Sequence, residues 1–140
     1  MKNLLILLLI PISLLGQKYQ YNGVDLMTAE GKIIQRWDAD SYVTQVGDDL
    51  TVASTDKRLL QTICTAALFD VSPYRNYKLI SATDTIFNDR GVDQRMRVSK
   101  YIGLVYYDKL TVLYDTDKKY MILVPENNIG IVIYEKNKNE

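Results

Sequence analysis

The sequence predicts a mainly β domain, an antiparallel meander of about eight strands forming a small barrel. Three observations carry that expectation: short runs rich in Val, Ile, Thr and Tyr, breaks of Asp, Asn and Gly between them, and a C-terminal third that is apolar on both strand faces. A two-sheet sandwich satisfies the same pattern and is the alternative, with room for one short helix near residues 56–69.

The first 16 residues stand apart from this pattern. Lys2 supplies a positive start, Leu4 to Leu15 is an apolar run broken by Pro11 and Ser13, and small Gly16 precedes the polar Gln17-Lys18. That is the layout of a secretory signal peptide, and the run falls short of the ~18 apolar residues a membrane helix needs. Gln17, rather than Cys, at the first mature position argues against a lipid anchor. The expected mature chain is one β-rich domain over 17–140, secreted or periplasmic, with no stable membrane span after cleavage. Its length of about 124 residues buries roughly two-thirds of the unfolded surface, with no length for a second core.

Seven runs read as strands: KIIQRWD (32–38), SYVTQV (41–46), DLTVAS (49–54), NYKLISAT (76–83), KLTVLYD (109–115), KYMILV (119–124) and IGIVIYEK (129–136). Gln94 onward reads as another. Turn chemistry separates them at Gly47-Asp48-Asp49, Ser54-Thr55-Asp56-Lys57, Asp115-Thr116-Asp117-Lys118 and Glu126-Asn127-Asn128, where Asp and Asn bond their own backbone and tolerate left-handed conformations.

Two of these stretches resemble one another. LTVASTDKRLL (50–60) returns as LTVLYDTDKKYMI (110–122), and SYVTQV and KYIGLVYY precede the two copies. Each copy then reads as a three-strand antiparallel unit with Thr-Asp-Lys at the reversal. Convergence on one hairpin solution accounts for the match better than duplication, because it covers only a short stretch and needs a one-residue insertion. The segment DKRLLQTICTAALFD (56–70) places Leu60, Ile63, Cys64, Ala67 and Leu68 at helical spacing, but the repeat and the β-branched Thr62, Ile63 and Thr65 favour strand from Arg58 to Ile63. Ser72-Pro73 ends it either way.

Toward the C-terminus, Leu110, Val112 and Tyr114 alternate with Thr111 and Leu113; Tyr120, Ile122 and Val124 with Met121 and Leu123; Ile131 and Ile133 with Val132 and Tyr134. Strands apolar on both sides are expected to be central, one face in the core and the other covered by a second sheet, a crossing segment or a partner.

Composition excludes several chemistries. The 17 cations and 17 anions become 16 against 17 once Lys2 is removed, so no net charge favours nucleic acid. The absence of His removes Ser-His-Asp and Cys-His catalysis and His-ligated zinc. One Cys, Cys64, forms no internal disulfide and reads as a small buried hydrophobe. No Gly-rich phosphate loop occurs, and Asp38-Ala-Asp40, Asp48-Asp49 and Asp115-Thr-Asp117 lack the further ligands of a calcium loop. No metal and no cofactor are expected. Small exported meander barrels of the lipocalin sort are similar in length, but their Gly-x-Trp start is absent: Gln35-Arg36 precede Trp37.

Candidate binding residues come from DRGVDQRMRVSKY (89–101). Strand alternation puts Arg95, Arg97, Ser99 and Tyr101 on one face, a cationic surface with an aromatic edge; a solvated face whose Arg side chains pair with Asp is the plainer reading. Tyr106 and Tyr114, among eleven tyrosines, are the next candidates, at an open barrel mouth. The expected function is an exported non-enzymatic binding or protein-interaction module for a small anionic ligand or a protein partner. A small hydrolase using carboxylates, Tyr or Arg on envelope or extracellular polymers is one alternative, and a structural envelope protein or inhibitor another.

Export gives the first test. Mass spectrometry of protein recovered from periplasm or medium should find an N-terminus near Gln17, whereas an intact chain from Met1 in the membrane fraction would overturn the leader reading.

Overall fold

The computed structural model describes residues 17–67, 70–89, 91–115 and 119–136; the leader segment lies outside them. Eight antiparallel strands follow one another around a closed, ring-like sheet: β1 Gln17–Met27, β2 Ile33–Val46, β3 Asp49–Ser54, β4 Tyr74–Asp89, β5 Val92–Gly103, β6 Lys109–Tyr114, β7 Tyr120–Pro125 and β8 Gly130–Tyr134. Every strand pairs with its neighbour in sequence, and β8 returns to β1. The expected meander is therefore present as a ring rather than as two stacked sheets.

Closure divides β1 in two. Gln17–Tyr21 pairs with Ser41–Gln45 of β2 alone, and after an irregularity at Asn22 the stretch Gly23–Met27 pairs with both β2 and β8. Gly23 is needed at that crossing, because a Cβ there would stand 2.6 Å from the Tyr134 ring. The stagger leaves the first half of β2, Ile33–Asp40, without a β3 partner, since β3 pairs only with Ser41–Val46.

A short helix, α1 Lys57–Ile63, follows β3 and a 3-10 turn, Thr65–Ala67, follows α1. Asp56 is its N-cap: one carboxylate oxygen accepts the Arg58 N–H at 2.8 Å and the other accepts Trp37 Nε1–H at 3.0 Å. The helix is thereby tied to the unpaired half of β2. Its Leu59, Leu60 and Ile63 are buried, and the Arg58 guanidinium lies over the Trp37 ring at 5.1 Å.

Inside the ring the core is filled by Val24, Val43, Leu50, Val52, Val112, Met121, Leu123, Ile131 and Ile133, all fully buried. Strand alternation puts the other side chains outward. Val98, Leu113, Ile122 and Val132 face one another in register across β5 to β8 and form a half-exposed apolar row on the outside. The two-faced apolar pattern thus has one face in the core and the other outward, with no second sheet over it among the described residues. Opposite the helix end, β4 past Leu79 and β5 before Arg97 pair only with each other and project as a two-stranded arm, held to β7 by Gln94 Nε2 donating to Tyr120 Oη at 2.9 Å.

Several expectations are corrected. Arg58 to Ile63 is helix, not strand, because Asp56 serves as a cap instead of a turn residue and the helical spacing of Leu60 and Ile63 finds a core to cover. The first copy of the repeat is accordingly strand then helix, and only the second forms a hairpin between β6 and β7. KYIGLVYY leaves strand at Gly103 and turns through Leu104–Tyr106, with Tyr107 in the left-handed region at φ 56. KIIQRWD and SYVTQV are one strand, and β1, rich in Gln, Asn and Asp, was not legible as one.

Replacing Asp56 with Ala removes a cap and leaves Trp37 without its acceptor, which should cost about 1–2 kcal/mol in urea unfolding. Asp56→Asn keeps a capping oxygen and should lose less. Equal midpoints for wild type and Asp56→Ala would show that the helix is not anchored there.

Candidate functional site

Strand alternation in β5 does place Arg95, Arg97, Ser99 and Tyr101 on one face, but that face changes surroundings along its length. Ser99 and Tyr101 are inside the ring, Tyr101 accepting from Gln45 Nε2 at 3.2 Å, whereas Arg95 and Arg97 stand exposed on the arm. Arg97 donates to Asp84 at 3.2 Å across the hairpin. Tyr114, opposite Arg97 in register, is buried with its side chain inward. Tyr106 lies at the other end of the ring, in the turn between β5 and β6. Arg97, Tyr101 and Tyr114 thus lie near one another, but Arg95 and Tyr106 stand apart from them, and no single surface holds all five binding candidates.

The helix end holds a different constellation. Arg75, on the inward face of β4 and 6% exposed, donates through Nη1 to the carbonyls of Ser72 and Tyr74, each at 3.0 Å. Its Nε is buried without a hydrogen-bond partner, and among the described residues no carboxylate pairs with the guanidinium. It lines a recess of about 180 Å³ with Asp70, Tyr77, Tyr106 and Asp108, while Tyr74 and Val105 stand exposed at the rim.

Each carboxylate of the recess is held by a phenol. Tyr106 Oη donates to Asp70 at 2.8 Å, and the opposite oxygen of Asp70 accepts the Ser72 N–H at 2.8 Å. Tyr77 Oη donates to Asp108 at 2.9 Å. Gly103 permits this last arrangement, since a Cβ at that position would collide with the Asp108 carboxylate, and the Gly103 N–H closes the turn on the Asp108 carbonyl at 2.7 Å. The Ser72 N–H, then the Tyr106 hydroxyl, hold the Asp70 carboxyl down at about 2 despite some desolvation. Burial, then the charge of Asp108, pushes the Tyr77 phenol far up, and the bond to Asp70 raises Tyr106. Both phenols are therefore fixed donors at neutral pH.

A wider, open cleft of about 640 Å³ lies beside the helix N-terminus, where Asp38, Asp40 and Asp56 meet Lys57, Arg58 and Lys136. Lys136 pairs with Asp38. Burial works to raise the Asp56 carboxyl, but the bonds and charge of Arg58 and the Trp37 donor outweigh it and hold it low. Asp56 is thus an acceptor rather than an acid. Among the described residues no three metal-ligating side chains cluster.

The chain matches no protein-family model, no curated protein and no solved structure. Arg75 gave no signal in the sequence because it stands alone in PYRNYK, while Arg95 and Arg97 drew notice by their spacing. Only the fold reveals which arginine is buried.

Two measurements follow. Because Asp70 titrates below its ordinary value when folded, its ionised form stabilises the native state above the unfolded midpoint, and that contribution fades as pH falls toward about 2. An NMR titration should find that low midpoint and a rise in Tyr106→Phe; an ordinary Asp70 midpoint in wild type would contradict the bonding described. Replacing both Arg95 and Arg97 with Gln should change stability by no more than about 0.5 kcal/mol, the pair on Asp84 being exposed.

Proposed function

We propose that the chain is an exported, non-enzymatic binding module whose Arg75 recess seats a small ligand through an anionic group. The observation that carries this reading is Arg75, a residue only 6% exposed whose Nε has no acceptor and whose guanidinium has no carboxylate within ion-pair distance among the described residues, Asp70 feeling its charge from further off. A buried charge is costly unless paired and hydrogen-bonded. Arg75 lines the recess, and a carboxylate or phosphate oxygen seated there would offer its guanidinium an acceptor in the geometry it favours. Export is supported by the leader pattern of residues 1–16.

Binding is favoured over hydrolysis by the state of the carboxyls. Asp56 and Asp70 are both held low, so neither serves as a proton donor near neutral pH. A ligand inside the ring, as in larger barrels, is disfavoured by the packed interior.

The test is an amide NMR titration of the mature chain with acetate and with inorganic phosphate at constant ionic strength. Saturable shifts confined to residues 70–77 and 103–108 are expected, weakened in Arg75→Lys and lost in Arg75→Gln. Absence of saturable shifts in the wild-type recess for both anions would overturn the reading.

A further inference from the structure

The recess contains more than a cation. Asp70 and Asp108 stand in the same small wall as Arg75, and the hydrogen-bond inventory of the three is incomplete in opposite senses. Arg75 has a donor left over at Nε. The carboxylates have acceptor capacity left over: Asp70 takes the Ser72 N–H, the Tyr106 O–H and a contact from the Ser72 hydroxyl, and Asp108 takes one O–H from Tyr77 as its side-chain bond among the described residues. A carboxylate offers about four acceptor positions, so both remain underused. The phenols cannot supply more, since each hydroxyl proton is already committed.

A simple anion would satisfy Arg75 while facing two carboxylates across a narrow recess. A simple cation would meet the reverse conflict at Arg75. Resting on the reading above, we infer that the ligand is a small zwitterion, an α-amino acid or a similar amino acid analogue, with its carboxylate on Arg75 and its ammonium on Asp70 and Asp108. Such a ligand brings acceptor and donors together a few ångströms apart. A recess of about 180 Å³ has room for the two charged ends of a molecule on the scale of the smallest amino acids, with any longer side chain left toward the open rim. The low midpoint of Asp70 agrees with this, because its carboxylate stays charged wherever an amino acid is zwitterionic.

The experiment compares alanine with propionate, which lacks its ammonium, and ethylamine, which lacks its carboxylate, each titrated against the wild-type mature chain by amide NMR. Alanine is expected to saturate the shifts at 70–77 and 103–108 at a concentration about tenfold lower than propionate. Asp70→Asn should bring alanine close to propionate while leaving propionate no weaker, and Asp108→Asn provides a second variant should the first misfold. Propionate binding as well as alanine in wild type would overturn the zwitterion and leave the anion site standing. Ethylamine as the best ligand, or no saturation by any probe while acetate also fails, would overturn both.

Discussion

The seam where β8 closes on β1 is the constraint from which the other features follow. Five consecutive residues of β1, Gly23 to Met27, serve two neighbours at once, and they do so only because the strand shifts register at Asn22 and presents a glycine beneath Tyr134. Tyr134 is fixed over that glycine by its hydroxyl donating to Asp25 at 3.1 Å, and Asp25 is held from the other side by Arg36 at 2.9 Å. The Asn22 side chain accepts the Lys136 N–H just beyond the end of β8. Local polar contacts thus specify the register of an otherwise apolar pairing, where a one-residue slip would turn every core side chain outward.

Stagger at the seam explains the helix. With β3 paired only to the second half of β2, the ring has a gap beside Ile33–Asp40, and α1 lies against it through the Asp56–Trp37 bond. The chain then needs a 3-10 turn and the Asp70–Ser72 stretch to reach β4, and this return path lays backbone carbonyls beside Arg75. An inward-facing arginine at a barrel end would be intolerable without them. The recess is therefore a consequence of how the ring is finished at one end, while the filled interior leaves the other end to the projecting arm.

Local pattern carried most of the strand layout. DLTVAS coincides with β3, and the alternation of β6 to β8 sorted their side chains into the two faces the structure shows, without saying which face is inward because both are apolar. Failures arose where one motif serves two structures. Thr-Asp-Lys opens α1 in the first copy of the repeat, and what decides is a tryptophan 19 residues away in the chain, invisible to any local window. Strand β1 was hidden because the irregularity at Asn22 breaks the alternation between Tyr19–Tyr21 and Val24–Leu26, leaving two pieces too short to read as one strand. Burial of an arginine was hidden from the sequence for a related reason: Arg97 is clustered in sequence yet stands exposed and pairs with Asp84, while solitary Arg75 is the arginine buried by topology.

Backbone NMR of the mature chain tests the closed ring most directly. Cross-strand nuclear Overhauser contacts should connect Gly23–Met27 with Gly130–Tyr134, including Asp25 with Val132, and the amides of both segments should exchange slowly. Contacts between β1 and β2 without any between β1 and β8 would mean an open sheet, and would contradict the seam on which the helix, the recess and the core depend.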